Sequence, residues 1–192
     1  MASTRKLEDY VPGLRIEVSD KMQTGYGYLL AAPVGREFCE KFSPWMSPPA
    51  MLSLGVFEGK YLNDCRGEFP REWYQDACER LSATPDPRLN CFGLKSRQSL
   101  QVWKAKGWIP AVEGDPDIRG WFQWYCRYYL GRRLPAADKV QIARWRSFAR
   151  HRGQIVASYA RMDSPPQSIA EKKTHRPKQR QALLQWAYDP WV

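Results

Sequence analysis

The sequence predicts a mainly α-helical protein, a single helical domain with a small β element near the N-terminus. Three observations lead to this prediction. The chain of 192 residues has the length of one ordinary domain. Most of it places apolar side chains at helical spacing between proline start signals and glycine or proline stop signals, whereas residues 10–34 carry short alternating runs. Nine Trp, ten Tyr and seven Phe supply enough aromatic area for a packed core.

The N-terminal half is predicted to contain the β element and two helices. Residues 10–34 combine short alternating runs with Gly and Asp, which is typical of one or two strands or an irregular hairpin. Ser47 is a good N-cap with prolines in the following turn, so a helix is expected over residues 49–64. A second helix is expected from about Phe69, where Pro70 follows, to the segment SATPDP.

The Pro-rich segment 84–88 is the best candidate for a boundary between two halves of the chain. Because it is short, we interpret it as a loop within one domain over residues 1–192, and not as a free linker. A subdivision into a neutral half, residues 1–84, and a basic helical half, residues 88–192, is the secondary interpretation.

The C-terminal half is predicted to be built from helices. They are expected over residues 96–106, 118–130, 136–159 and 177–188. Gly153 is a potential break in the third of these helices. Residues 163–175 are polar and are expected to form an exposed loop that orders on contact with a partner.

The positive charge lies entirely in the C-terminal half. Residues 1–100 contain 13 Lys+Arg and 13 Asp+Glu, whereas residues 101–192 contain 17 and 7, which accounts for the net charge of +10. Lys and Arg that neutralise phosphates supply most of the non-specific affinity for nucleic acids. The charge distribution therefore favours a polyanionic partner, and an ordinary solvated basic face is the alternative.

Several classes of protein find little support. No apolar run approaches the roughly 20 residues that cross a bilayer, and residues 1–13 lack the apolar middle of a signal peptide. We therefore expect no membrane association and a cytoplasmic or other intracellular soluble location. The five cysteines form no CxxC pair, so we expect buried reduced thiols and neither a metal nor a cofactor; they are Cys39, Cys65, Cys78, Cys91 and Cys126.

The stretch GWFQWYCRYYLGRR concentrates aromatic residues on one arc of a helix. The residues of this arc are Trp121, Phe122, Trp124, Tyr125, Tyr128 and Tyr129. Such a stripe faces a core more often than it stacks on a ligand, and Gln123 and Arg127 are then expected to face water on the opposite side. The alternative is that the rim of the stripe lines an aromatic pocket, formed by Trp121, Trp124, Tyr125 and Tyr128.

The helix predicted over residues 136–159 separates an apolar face from a basic one. Lys139, Arg146 and Arg150 share a face at spacings of seven and four, and further cations precede and follow this helix. We expect these cations to contact the phosphates of DNA or RNA, with an acidic protein as the alternative partner. The predicted contacts are Arg132, Arg133, Lys139, Arg146, Arg150, Lys172, Lys173, Arg176, Lys178 and Arg180.

Glu58 is the candidate residue for catalysis. On the helix expected over residues 49–64 it falls within an apolar stripe that contains Leu54 and Tyr61. A carboxylate without water has a raised pKa unless a cation compensates it, and proteins prepare general acids and bases in this way. The alternative function is thus a small enzyme acting on an anionic or nucleobase-containing substrate. The other interpretation is a structural Glu58 paired with an Arg of the aromatic helices.

A weaker hypothesis concerns a divalent cation. Asn63, Asp64 and Glu68 carry suitable oxygen ligands, but their spacing matches no known cation loop and a capped helix end explains them as well.

Two resemblances to known proteins add to these predictions. The segment SRQSLQVWKAKGWI is similar to the recognition helix and turn of MerR-like winged-helix proteins, through Ser99, Leu100, Trp103, Gly107 and Ile109, and this implies contact with DNA. More broadly, the segments LGVFEGKYLNDC, GWFQWYCRYYLGRR with QIARW, and RPKQRQALLQWAYD resemble a family of Trp- and Tyr-rich basic proteins found in bacteria, fungi and plants. That resemblance covers most of the chain from about Pro48 onward and implies a family without implying an activity.

Overall fold

The computed structural model describes residues 5–96, 100–106 and 116–192, without the side chains of Leu100, Trp103 and Lys104. Within these ranges the fold is mainly helical, with a two-stranded antiparallel sheet near the N-terminus, which confirms the predicted fold class.

The sheet is a hairpin of β1 (Arg15–Ser19) and β2 (Thr24–Leu29). Ile16 pairs with Tyr28, and a bulge interrupts the register between Val18 and Ser19. Successive side chains of a strand point to opposite faces, and the buried positions of β1 accordingly alternate with exposed ones. The predicted irregular hairpin is therefore confirmed, and one of its faces packs on the core.

A glycine joins the hairpin to the helical part of the chain. Gly131 has φ +113°, and its carbonyl oxygen accepts the main-chain N–H groups of Ala31 (2.8 Å) and Ala32 (3.1 Å). A Cβ at this position would lie 2.0 Å from the carbonyl oxygen of Ala32. Residues with a side chain are excluded here by both the backbone conformation and the close approach of the second strand's continuation.

The helix predicted over residues 49–64 is wrong beyond its first two turns. Helix α1 (Pro48–Leu54) ends at Gly55, whose φ is +98°. The N–H of Cys91 donates to the carbonyl of Gly55 (2.9 Å), and a Cβ on Gly55 would lie 2.1 Å from the carbonyl oxygen of Leu89. The chain is thus turned aside by a contact with residues 89–91, which no local pattern signals. Helix α2 (Arg71–Gln75) follows in the second predicted segment.

The C-terminal half contains the helices α3 (Leu100–Ala105), α4 (Trp121–Tyr129), α5 (Pro135–Ser147), α6 (Ala149–Tyr159), α7 (Ile169–Thr174) and α8 (Pro177–Gln185). The break between α5 and α6 lies at Phe148 and not at Gly153. The ring of Phe148 stacks on Trp186 at 3.9 Å between centroids. The break between α5 and α6 therefore coincides with the stacking of Phe148 on Trp186, and not with Gly153.

Part of the segment predicted to be a loop, residues 163–175, is helical. Helix α7 begins at Ser168, whose hydroxyl accepts the N–H of Glu171 (3.2 Å), while the Glu171 carboxylate accepts the N–H of Ser168 (3.0 Å). This reciprocal capping box satisfies N–H groups that a helix start otherwise leaves unpaired. The Ser-to-Glu spacing was a readable helix signal inside a polar segment.

One hydrophobic core draws residues from both halves of the chain, including Phe42, Met51 and Trp73 from the first and Trp124 and Leu184 from the second. Phe42 lies at its centre, edge-on to four aromatic rings of α4 and α5. The division at residues 84–88 stays a prediction, although this core spans it. In the part of the chain that the structure describes, every helix is too short or too polar to cross a membrane.

Candidate functional site

Helix α4 is buried on all sides. Trp121, Phe122 and Tyr128 are at most 4% exposed, so the stripe packs the core as predicted. The opposite face is equally buried, because Gln123 and Arg127 are both 0% exposed. The prediction that these two side chains face water was therefore wrong.

The four residues proposed to line an aromatic pocket have their ring faces covered by other rings. Trp121 packs against Trp186 with centroids 4.6 Å apart, and Trp124 stacks on Tyr128 at 4.9 Å. The hydroxyl of Tyr125 donates to the carbonyl of Met46 (2.5 Å). These side chains form a packed core and leave no room for a base or another ring, so the alternative of a stacking pocket is not supported.

Arg127 is buried because an ion-pair network compensates its charge. Its Nε and Nη2 donate to the two carboxylate oxygens of Glu68 at 2.5 and 2.9 Å. Its Nη1 donates to Asp117 (3.1 Å), and its Nη2 also reaches Gln23 (2.9 Å). A bidentate pair of this geometry is among the stronger interactions available to arginine. Arg127, which the sequence predicts to face water, is therefore a buried cation that pairs with two buried carboxylates.

Arg132 belongs to the same network and not to a phosphate-binding surface. Its Nη2 donates to Asp117 (2.6 Å) and its Nη1 to the hydroxyl of Tyr26 (3.1 Å), and the residue is 1% exposed. The Tyr28 hydroxyl completes the network by donating to Glu68 (3.0 Å). Because the two guanidinium groups face two carboxylates, the network is neutral and offers nothing to an external anion. The prediction for Arg132 was wrong.

Arg180 is also buried, at 0% exposed. Its guanidinium donates to the carbonyls of His175 (2.8 Å) and Val192 (2.9 Å) and to the hydroxyl of Tyr159 (2.5 Å). These bonds attach the C-terminal residues to α6 and α8. Arg180 is consequently a structural clamp, and its predicted role in phosphate contact was wrong.

Arg133 caps the C-terminal end of α4. Its Nη1 donates to the carbonyls of Tyr128 (2.6 Å) and Arg132 (2.9 Å), and its Nη2 donates to those of Arg36 (2.8 Å) and Glu37 (3.2 Å). The guanidinium also lies 4.0 Å from the centroid of the Tyr128 ring. Cations near the last carbonyls of a helix interact favourably with its dipole. Since these donors are already engaged, we leave Arg133 out of the candidate surface.

The remaining predicted contacts stay accessible, and we call them the basic surface. Lys139 and Arg146 are exposed on α5, and Arg150 is exposed at the start of α6. Lys173 and Lys178 are exposed, and Lys172 and Arg176 are partly exposed, on or beside α7 and α8. None of these seven cations forms an ion pair within residues 5–96, 100–106 and 116–192.

Two exposed arginines in and after α6 were missed at the level of sequence. Arg152 lies one turn into the helix, and Arg161 follows its last residue. Arg161 lies in the turn that follows α6, so helical spacing does not fix its position relative to Arg150, and its charge alone was the readable signal. The break at Phe148 also means that Arg150 does not continue the α5 row of Lys139 and Arg146 on one helix.

Acidic residues do little to neutralise this region. Residues 135–192 contain 11 Lys+Arg and four Asp+Glu. Asp138 is buried and accepts the indole N–H of Trp124 and the main-chain N–H of Leu134, each at 2.8 Å. Burial raises the pKa of Asp138 against the opposing effect of these hydrogen bonds. Glu171 and Asp189 likewise accept main-chain N–H groups.

Glu58 is buried, at 3% exposed, but it does not lie on an α-helix as predicted. Phe57, Glu58 and Gly59 have φ values of +53°, +58° and +70°, so three successive residues adopt the left-handed conformation. L-residues rarely adopt this conformation, and its occurrence marks a segment held by its surroundings. The Oε1 of Glu58 accepts the N–H of Ser96 (3.0 Å).

A cluster of buried amides surrounds this turn. Asn90 accepts the N–H of Glu58 (2.8 Å) and donates to the hydroxyl of Ser96 (2.8 Å), which in turn donates to Gln185 (2.6 Å). Gln181 donates to the carbonyl of Gly55 (3.2 Å). The cluster ties the left-handed turn to α8, as expected of buried polar groups that must find partners. The predicted pairing of Glu58 with an arginine of α4 is not seen, since Arg127 pairs with Glu68.

Two of the three side chains considered for a divalent cation are engaged, whereas Oδ1 of Asn63 is buried and has no hydrogen-bond partner among the described residues. Asp64 accepts from Arg119 (2.8 Å), and Glu68 pairs with Arg127. A second group, Asp20 with Cys65 and Glu68, places its ligand atoms within 4.8 Å of one another. Asp20 is paired with Arg119 (2.8 Å), and burial raises the pKa of the Cys65 thiol, which disfavours the thiolate that binds metals. These groups fit an ion-pair network and not a metal site.

The cysteines differ from one another in accessibility. Cys65 and Cys126 are buried, as predicted for all five, whereas Cys39 and Cys78 are exposed and Cys91 is half-buried. All five are free thiols. The prediction was therefore wrong for these three, of which Cys91 is partly buried against the core.

The helix with the MerR-like resemblance is present as α3, over Leu100–Ala105. Ser99, Gly107 and Ile109 lie outside the described residues, and the side chains of Leu100 and Trp103 are not described, so the resemblance to a recognition helix stays a prediction. Comparison of the chain with protein-family models, with curated proteins and with solved structures finds no match.

Proposed function

We propose that this protein binds nucleic acid through the basic surface, extended by Arg152 and Arg161. One observation supports this most strongly. The buried arginines all have carboxylate or carbonyl partners, whereas the seven cations of the basic surface, with Arg152 and Arg161, form no ion pair within the described residues. Cations that neutralise phosphates release condensed counterions, and this gain favours binding without any sequence-specific contact.

The mode of binding follows from the kind of contact available. If about five phosphates are neutralised, the logarithm of the association constant falls with the logarithm of salt concentration with a slope of about −4.5 for duplex DNA. Phosphate contacts position a protein but carry no sequence information. We therefore expect steep salt dependence and little sequence preference. An acidic protein that binds the same surface is the competing partner.

Direct titration of the purified protein with fluorescent single- and double-stranded DNA and RNA, over a salt series, tests the proposal. The informative variant is Arg146→Glu with Arg150→Glu, because both side chains are exposed and unpaired within the described residues. The matched control is Lys21→Glu with Lys41→Glu, which makes the same change in net charge at two exposed positions of the neutral half.

We expect the first variant to bind nucleic acid much more weakly than the parent protein, and the control to bind with nearly the same affinity as the parent. The slope should also become shallower by about 1.8 for duplex DNA, since two phosphate contacts are removed. Equal losses in both variants would indicate a general effect of net charge. Unchanged binding by the first variant would refute the proposed surface. If an acidic polypeptide displaces the bound nucleic acid but added nucleic acid does not displace the polypeptide, an acidic protein is favoured as the partner.

A second candidate function is that of a small enzyme with Glu58 as its acid or base. The observation that favours it is a buried carboxylate on a left-handed turn, since such backbone outliers cluster at active sites. Glu58→Gln keeps the shape of the side chain and its acceptor for Ser96. A catalytic Glu58 would then lose turnover on nucleobase-containing substrates while the fold and nucleic-acid binding stay intact.

A further inference from the structure

A groove between α6 and the start of α8 is lined by polar side chains, two of them arginines, together with one alanine. It has a volume of about 260 Å³. The lining residues are Gln154, Ala157, Ser158, Arg161, Arg176 and Gln179. They contribute two guanidinium groups, two amides and one hydroxyl, and no carboxylate. Arg161 and Arg176 form no ion pair among the residues that the structure describes.

The backbone at Arg176 adopts a conformation that arginine rarely takes. Its φ and ψ are +51° and +47°, in the left-handed region. It is also the N-cap of α8, and its side chain provides no capping hydrogen bond to this nine-residue helix. Pro177 at the first helical position has no N–H group, and the positive end of the helix dipole lies beside Arg176. Glycine or asparagine would suit the backbone better, so the arginine is unexplained by the fold alone.

The hydroxyl of Ser158, which lines the groove, already has partners within the protein. The hydroxyl of Ser158 donates to the carbonyl of Ile155 (2.6 Å) and lies 2.8 Å from Nε2 of His175. A hydroxyl has a single proton, so His175 is left to donate from Nε2 to the Ser158 oxygen. Burial, Arg180 and Arg176 together lower the pKa of His175. The positive charge of the groove therefore comes from Arg161 and Arg176.

One acidic group near the groove, Glu171, is engaged within the cap of its own helix. Glu171 lines a neighbouring groove of about 440 Å³, which His175 also lines. Its carboxylate accepts the main-chain N–H groups of Gln167 (2.7 Å) and Ser168 (3.0 Å), which lowers its pKa and keeps it ionised within the cap of α7. It therefore does not compensate Arg161 and Arg176.

We infer that this groove binds a phosphate dianion, with Arg161 and Arg176 as its charge partners. Two guanidinium groups match the double charge of a phosphate monoester or of free phosphate better than the single charge of a backbone diester. The ligand is thus either the terminal phosphate of a nucleic-acid strand or a free phosphate compound. Binding of a strand's terminal phosphate rests on the proposed function in nucleic-acid binding, whereas binding of a free phosphate compound does not.

Calorimetric titration of the full chain with inorganic phosphate is the primary test. We expect one site per chain, and we expect Arg161→Gln with Arg176→Gln to weaken it about tenfold or more, since charge-assisted hydrogen bonds are removed. Lys21→Gln with Lys41→Gln is the matched control and should bind normally. The NMR titration of His175 gives an independent signal, because a bound dianion raises the pKa of a nearby histidine.

Arg176→Gly separates folding from binding. It removes the guanidinium and relieves the left-handed backbone, so its melting temperature should match or exceed that of the parent while phosphate affinity falls. Absence of phosphate binding by the folded parent chain would overturn the inference. Equal affinity in the parent and in the Arg161 and Arg176 double variant would do the same.

Two oligonucleotides that differ only at the 5′ end distinguish the sources. Tighter binding of the 5′-phosphorylated strand than of the 5′-hydroxyl strand, lost in the double variant, assigns the groove to strand ends. Equal binding of both strands with retained binding of inorganic phosphate assigns it to a free phosphate compound. If neither strand binds and phosphate still does, the proposed function fails while the groove remains a phosphate site.

Discussion

The buried pair of Arg127 and Glu68 yields the sharpest prediction about stability. Replacing Arg127 by Met keeps most of the volume of the side chain but leaves two buried carboxylates, Glu68 and Asp117, with Arg132 as their remaining guanidinium partner in this network. Removing one partner of a buried pair typically costs about 3–5 kcal/mol. Whole domains have free energies of unfolding of about 5–15 kcal/mol, so this one substitution should remove about a fifth or more of the total.

Thermal and urea unfolding, followed by circular dichroism and tryptophan fluorescence, measure this loss. For a chain of this length the expected fall in melting temperature is about 6–20 °C. The control is Arg146→Met, the same chemical change at an exposed side chain without an ion pair in the described residues, which should alter the free energy of unfolding by about 0.5 kcal/mol or less.

Adding Glu68→Gln to Arg127→Met should recover part of the loss, because the uncompensated carboxylate is then removed. The network interpretation is refuted if Arg127→Met and Arg146→Met destabilise the protein equally. Strictly additive effects of the two core substitutions would also contradict it, since partners in one network are expected to couple.

Three further substitutions follow from the structure. Gly131→Ala should prevent folding or lower the yield of soluble protein sharply, because its Cβ would lie 2.0 Å from the Ala32 carbonyl oxygen at φ +113°; a melting temperature near that of the parent would contradict this. Asp138→Asn should cost about 1–3 kcal/mol in urea unfolding, since an amide accepts at only one end and the carboxylate serves two N–H donors. Burial raises the pKa of Asp20, but hydrogen bonds from Arg119 and from two main-chain N–H groups outweigh this and lower it overall. A carboxyl with a lowered pKa contributes stability above its unfolded value of about 3.9 and loses it as the pH falls through the folded value. Asp20→Asn should therefore flatten the acid limb of the stability profile below about pH 4, and an unchanged limb would count against the ion pair.

The sequence alone was sufficient for features that depend on local periodicity. The arc of aromatic residues in α4 predicted a core-facing stripe, because helical spacing fixes which side chains share a face. The alternating run around Ile16 and Val18 predicted a strand for the same reason, since the period of two belongs to the backbone. The uneven division of charge between the halves was equally readable, and it motivates the proposed polyanionic partner.

The tertiary structure decided which cations remain available. Arg127 finds Glu68 at a separation of 59 residues, and Arg132 finds Asp117 from a loop before α4. Residue type shows that an arginine carries charge, but only the approach of a distant carboxylate shows that its charge is compensated. Three of the ten predicted phosphate contacts, Arg132, Arg133 and Arg180, are occupied for this reason by partners within the chain.

The ends of the helices were decided in the same way. The pattern of residues 49–64 fits a helix, yet Gly55 turns the chain because residues 89–91 bind its backbone. Phe148 ends α5 where Trp186 stacks on it, 38 residues further along the chain. Local sequence therefore indicated the type of most elements and the overall charge. Contacts between distant segments determined where helices end, which charges are buried and which groove is left open, because those contacts depend on groups that local periodicity does not bring together.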